Sequence, residues 1–329
     1  MTFKFNDVYI NDTSTITGPY ESEGPLGKYF DLCHKDLYFG EKNWEQAEVK
    51  LVDEAINTLV NKSKINIDNV DLLIGGDLLN QIVASNYAME KFKNSFIGIY
   101  AACSTSTLGL ILGSSLIDGG FINNAITFTS SHNTSAEKQY RYPVEYGGPK
   151  HKSTTFTSTG SAAALLSKNR SSIKIESGTF GRVIDSKVGD VSNMGAVMAI
   201  AAADTIVSHL KDTGRNIDYY DLVLTGDLGI YGKKILKEYM LSEYNIGLKN
   251  YNDTGVMLYD LENQPVYAGA SGPACAPLVT YGYVFDQMKK GKYKKVLLAA
   301  TGALMCPTMA NHKLTIPSIS HVVSLEVIS

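Results

Sequence analysis

The chain is poor in cysteine and arginine and has no excess of positive charge. Four cysteines stand in 329 residues, at positions 33, 103, 275 and 306. None form a C-x-x-C pair, and no spacing among them suits a zinc site. So sparse a set argues against a disulfide-stapled scaffold and leaves reduced thiols as the expectation. The net charge of -3 gives no support to a nucleic-acid binder. No low-complexity tract occurs, and 44% hydrophobic with 19% charged residues is a globular composition. The opening segment MTFKFNDVYINDTST has no charged start followed by an apolar core, so it does not read as a signal peptide. Residues 95–117 carry no charge, which raises the question of a membrane span. That run holds Ser95, Ser104, Thr105, Ser106, Thr107, Ser114 and Ser115. It also divides into a strand, a turn and a helix, so it reads as buried core.

What the chain does have is an internal repeat. Residues 67–78 read IDNVDLLIGGDL and residues 217–228 read IDYYDLVLTGDL, with seven identities in twelve positions at an offset of 150. A second pair of segments begins at Ala101 and at Pro273, an offset of 172 that aligns Cys103 with Cys275, Gly119 with Gly291 and Thr129 with Thr301. Two such matches in the same order predict a duplication, with halves 1–170 and 171–329 forming one compact unit.

Each half has the same grammar. A helix over roughly 44–61 or 195–212 carries apolar residues at helical spacing, as at Val49, Val52, Ile56 and Leu59. A short apolar strand follows, LLIGG or LVLTG, ended by glycine. Next come a helix-like stretch, a small-residue strand and a cysteine. An uncharged helix then runs over about 104–117 or 276–287, and a glycine turn leads to a last buried strand, NAITFTS or KVLLAATG. Strands that are apolar throughout are covered on both faces, and an uncharged helix is covered all round. The predicted fold class is α/β, an α-β-α-β-α stack of two sheets around a shared central helix pair.

Cys103 sits where IYAACSTSTLG passes from strand to helix. Two similar halves with a cysteine at that junction resemble the thiolase-like superfamily of thiolases and ketoacyl synthases. TSTGSAAALLS at 157–167 and TGALMCPT at 301–308 resemble the strand and turn that close each half there. A narrower resemblance, along the whole chain, is to the stage V sporulation protein AD family. It rests on GPLGKYFD at 24–31, ACSTS at 102–106 and QYRYPVEYGG at 139–148. This resemblance implies a sporulation protein that binds dipicolinic acid (pyridine-2,6-dicarboxylate) and acts in its uptake into the developing spore. It also implies a place at the forespore or spore inner membrane, beside membrane proteins of the same operon, and a homodimer. No nucleic acid is expected as a partner, and no amphipathic anchor is visible.

The alternative is a Cys-dependent acyltransferase or ketoacyl-synthase-like condensing enzyme. Position favours it, because a helix N-terminus lowers a thiol pKa and can hold an oxyanion. The superfamily's condensing enzymes also need a base and its orienting partner, His with His or His with Asn. Here the first slot reads TGDLG around Asp227 and the second ASGPACAP around Cys275, without either residue. An aspartate with a pKa of about 3.9 is a poor base at neutral pH. Histidines stand at 34, 132, 151, 209, 312 and 321. Of these His132, in TSSHNTS after a buried strand, is the candidate to face a pocket. The expected outcome is a vestigial nucleophile position in a cleft that binds.

A flat dicarboxylate needs two anion sites and a face for stacking. Only four arginines exist, at 141, 170, 182 and 215. Arg141 lies between Tyr140 and Tyr142, so a guanidinium clamp and aromatic faces come together. A dimer contact would use the same residue types. The helix tip at Cys103, Ser104 and Thr105 offers backbone N–H groups to the second carboxylate, and the tip at Cys275 should converge on it. Asp77 and Asp227 read as turn or helix caps. No cofactor or resident metal is expected. Calcium could travel with the ligand, but two separated aspartates do not make a calcium site.

Overall fold

A computed structural model describes residues 1–140 and 150–328. The first half is built from strands β1 (Tyr9–Thr17), β2 (Leu72–Gly76), β3 (Ser95–Gly98), β4 (Asn124–Ser131) and β5 (Gly160–Ser167). Its helices are α1 (Trp44–Ser63), α2 (Val83–Met89), α3 (Thr105–Asp118) and α4 (Asn133–Tyr140). The second half contributes β6 (Ile173–Thr179), β7 (Leu222–Thr225), β8 (Tyr251–Asp253), β9 (Lys295–Ala303) and β10 (Pro317–Val327). Its helices are α5 (Met194–Thr213), α6 (Gly229–Tyr244) and α7, residues 275–289.

The strand order is β3-β2-β4-β5-β1 in one half and β8-β7-β9-β10-β6 in the other. The first three strands of each run parallel and the rest antiparallel. The two sheets meet edge to edge through Tyr9↔Lys174 and Ile10↔Ile173. Helix α3 packs against both sheets, and α7 lies against the first. Leu110, Ile111 and Ile117 of α3 share one core with Leu278, Val279 and Val284 of α7. Outer cores lie under α1 and under α5. The layers therefore stack α-β-α-β-α, as the repeat predicts. The uncharged run 95–117 divides into β3, an elbow and α3. Among the described residues no helix is long and apolar enough to cross a membrane.

The local signals repeat as well. Asn43 caps α1 by accepting the Gln46 N–H, and Asn193 caps α5 by accepting that of Ala196. Each of these helices runs twenty residues and stops at a left-handed residue, Lys64 or Gly214. Register corrects one sequence alignment. The left-handed residue before α3 is Ala102 and that before α7 is Gly272, while the helices start at Thr105 and Cys275. Both offsets are 170, from 272 − 102 and 275 − 105. The left-handed glycines after the helices, Gly120 and Gly291, are 171 apart. One extra residue thus enters the second helix, and its π-helical stretch Leu278–Val284 accommodates it. Cys275 is the counterpart of Thr105, and Pro273 is that of Cys103.

Candidate functional site

The site begins at the elbow after β3. Ala102 adopts φ +47°, a conformation that costs a residue with a Cβ about 1 kcal/mol. Its neighbours hold it there. Thr105 Oγ1 accepts the Ala101 N–H at 3.0 Å and donates to the Ala102 carbonyl at 2.6 Å. Ser104 donates to the Ala300 carbonyl at 3.0 Å and accepts the His321 N–H at 3.1 Å. These bonds tie the helix tip to β9 and β10 of the other half. Both side chains are wholly buried and brace the elbow, and neither is part of the cleft wall. Cys103 is left facing an open cleft of about 540 Å³ including its mouth.

Both halves line that cleft. Tyr100 and Tyr140 contribute from the first, Met194, Met198 and Met305 from the second, and Cys103, Asp227 and Gly272 come together within it. The Tyr140 hydroxyl donates to the Leu78 carbonyl at 2.5 Å and lies 3.4 Å from that of Tyr100. Glu137 also lines the cleft and is ion-paired with Lys150 at 2.9 Å. Among the described lining residues there is no lysine, arginine or histidine. Arg141 and Tyr142 lie outside the described residues.

Asp227 lies in TGDLG, the segment where the resemblance to condensing enzymes implies a histidine. Its Oδ1 accepts the Thr301 hydroxyl at 2.7 Å, its Oδ2 accepts the Gly272 N–H at 3.2 Å, and the Cys103 thiol lies against the carboxyl. Burial lifts its pKa to about 7. The Cys103 thiol is pushed well above the ordinary thiol range, first by burial and then by the Asp227 charge, against a smaller opposing effect of the Gly272 N–H. The nucleophile position is therefore held as a neutral thiol. Gly272 is required here: its φ is +101°, and a Cβ would meet Ser131 Oγ at 2.7 Å.

The expectation that Asp77 and Asp227 are equivalent caps holds only for Asp77. That carboxylate accepts the N–H groups of Leu79 and Ser85 at 2.9 and 2.8 Å and the Ser85 hydroxyl at 2.7 Å. In the second half Asp253 takes over the equivalent work. It accepts the N–H groups of Leu228 and Gly229 at 3.0 and 2.9 Å and the Thr225 hydroxyl at 2.7 Å. Asp227 is thereby released to the cleft. The signal for this was an aspartate, Asp253, with no partner in the first half.

His132 is not part of the cleft wall. Its Nδ1 accepts the Thr134 N–H at 3.2 Å, so Nε2 carries the proton and donates to the Leu37 carbonyl at 2.8 Å. Burial lowers its pKa to about 4. His209 is bonded to Thr179 and Tyr220, His321 to the Gly181 N–H, and His34 to Glu54. None supplies a base to Cys103. Cys275 is likewise absent from the wall. It is fully buried, near Thr254 Oγ1 at 3.5 Å and the Gly226 carbonyl at 3.7 Å, as the register of α7 requires. Tyr100, Glu137, Gly272 and the three methionines are cleft residues that sequence reasoning missed, and Asp227, read there as a cap, also lines the cleft.

Comparison with solved structures defines the class. A variant of Xanthomonas campestris OleA matches over 98% of this chain and 99% of its own, at 14% identity and TM-score 0.61. The 3-oxoacyl-[acyl-carrier-protein] synthase III of Aquifex aeolicus VF5 matches over 97% and 99%, at 13% identity and TM-score 0.57. The protein has the thiolase-like fold of these neighbours. A family model for stage V sporulation protein AD matches residues 1–326. The chain is 44% identical over 320 residues to stage V sporulation protein AD of Bacillus subtilis (strain 168), spanning 97% of this chain and 94% of that one. It belongs to the stage V sporulation protein AD family.

Proposed function

We propose that this sporulation protein binds dipicolinic acid in the cleft at Cys103 and catalyses no acyl transfer. The observation that carries the reading is a cleft that Cys103 faces with no histidine, lysine or arginine among its described lining residues. Condensation needs a thiolate or a base beside the thiol; the charged Asp227 opposes a standing thiolate, and a carboxylate has no N–H to give to an oxyanion as an imidazole does. Flat rings and flexible methionines suit a planar aromatic ligand. Charge selects the form that enters. A dianion would face Asp227, charged above about pH 7, whereas the calcium chelate of dipicolinate is neutral and meets no such repulsion. Among the described residues no cluster of acidic, His or Cys side chains could hold a metal alone, so calcium would arrive as cargo on the ligand. Arg141, which follows the cleft residue Tyr140 in the chain and lies outside the described residues, is the proposed carboxylate clamp.

Titration calorimetry with dipicolinate, with and without calcium, tests this. Binding with calcium is expected, and Arg141→Ala should weaken it by about tenfold or more, as for loss of a charged hydrogen bond. No heat and no thermal shift in either series discards the binder. The reading extends to delivery of the acid into the spore at its inner membrane, beside membrane partners, and to a homodimer. Edge strand β3, with Ile97 exposed, offers an unpaired side to a second copy; sedimentation of a monomer at all concentrations would refute the dimer.

A further inference from the structure

One surface stands apart in charge from the rest of this acidic chain. The turn from α7 into β9 reads KKGKYKK, five lysines in the seven residues Lys289 to Lys295. Lys289, Lys290, Lys292 and Lys294 are all exposed. Lys28, from the first half, joins them through aromatic contacts. Its Nζ lies 5.2 Å from the Tyr29 ring, and that ring meets Tyr283 at 5.1 Å. Lys292 lies 5.1 Å from the Tyr293 ring and 6.0 Å from that of Tyr283. Acidic neighbours are few. Asp286 pairs with Lys290 at 2.8 Å and Glu326 with Lys295 at 3.7 Å, while Asp221 accepts the backbone N–H groups of Lys294 and Lys295. Asp286 also feels the charge of Lys289, and Lys28, Lys292 and Lys294 form no ion pair with a carboxylate among the described residues. Six lysines stand against Asp286, Glu326 and Asp221, while Glu176, which also acts on Lys295, is paired with Arg215; this face is positive on a molecule of net charge -3.

The patch sits at the start of β9, and the cleft sits at its end, where Ala303 and Met305 line the wall. A nine-residue strand separates them by roughly 25–30 Å. The two surfaces therefore face opposite ways.

We infer that this lysine and tyrosine face docks the protein directly on an anionic lipid surface, with the cleft directed away from it. The chemistry favours lipid over nucleic acid or a phosphorylated protein. The exposed charges of the patch are lysines, and the arginine at its edge, Arg215, which shares the Tyr219 ring with Lys295, has its fork bonded to Glu176; the patch therefore offers point charges for a diffuse field of head groups rather than forks for single phosphates. Its tyrosines are amphipathic rings of the type that settle at a membrane interface. This goes beyond the ligand reading and does not need it.

The test is co-sedimentation of the full chain with phosphatidylglycerol-containing vesicles and with pure phosphatidylcholine vesicles, at low and high salt. The expected result is pelleting with the anionic vesicles only, lost at high salt. The triple variant Lys289→Glu, Lys292→Glu, Lys294→Glu should lose at least about tenfold in vesicle affinity. It should keep its thermal midpoint and its dipicolinate titration, which separates failure of this surface from failure of the cleft. Absence of pelleting, equal pelleting of the variant, or tighter binding to short duplex DNA than to vesicles would overturn the assignment.

Discussion

At the scale of residues, the account turns on Cys103 and Asp227. While Asp227 is charged, ionising the Cys103 thiol beside it puts two negative charges in one cleft, so the carboxylate suppresses a standing thiolate. Asp227 has a pKa of about 7, so it is charged at pH 8 and mostly neutral at pH 6. Asp227→Asn should therefore raise the iodoacetamide labelling rate of Cys103 at pH 8 by about tenfold, the effect of lowering the thiol pKa by one unit. At pH 6 the gain should shrink. Equal rates at pH 8 would show that the carboxyl does not govern the thiol. In the native protein the exposed thiols Cys33 and Cys306 should label first. Backbone N–H groups of Met309 and Thr308 lower the pKa of Cys306, which adds to its lead.

At the scale of elements, one capping job is done by different residues in the two halves. Asp77 serves the turn into α2, and Asp253 serves the start of α6. Replacing either by alanine strands two buried N–H groups and a hydroxyl, and each should cost about 2–3 kcal/mol in urea unfolding. Asp227→Asn should cost far less at pH 8, where the native charge is itself unfavourable; an equal loss would make Asp227 a structural cap after all. This division explains what could be read in the sequence. The duplication, the apolar strands and the elbow at Cys103 are local patterns and were legible. The motif GDL is identical in both halves, so nothing within it distinguishes cap from cleft residue. The difference comes from Asp253, twenty-six residues further on. His132 was misleading for a similar reason. Its place after a buried strand suggested a pocket, but the Leu37 carbonyl, remote in sequence, accepts its Nε2–H. The Cys103 and Cys275 alignment failed because its single offset of 172 is two residues out at the helix start, where the structural offset is 170, and one residue out after the helix, where the residue absorbed by the π turn makes it 171.

At the scale of the whole molecule, burial stores unusual protonation states, and their sum shapes stability. Glu21 and Asp227 have pKa values raised to about 7 and Asp253 to about 6, first of all by burial. The buried Glu48 and Asp77 are raised as well. Above the unfolded carboxyl range the native state holds protons that the unfolded chain has released, so stability falls as pH rises through these values. His132, His209 and His321 are lowered to about 4. They act in the opposite sense, but only up to the unfolded histidine value of about 6.5. The urea midpoint should therefore decline slowly from about pH 5 to 6.5 and more steeply from about 6.5 to 8. A midpoint that rises between pH 6.5 and 8 would mean that these carboxyls are ionised and compensated in the fold.

The most direct measurement is a crystal soaked in dipicolinate with calcium. Planar density between the Tyr100 and Tyr140 side and the methionine side, above a free Cys103 sulfur, is the predicted result. An empty cleft with ligand bound elsewhere, or a covalent adduct on Cys103 after exposure to an acyl thioester, would contradict the account.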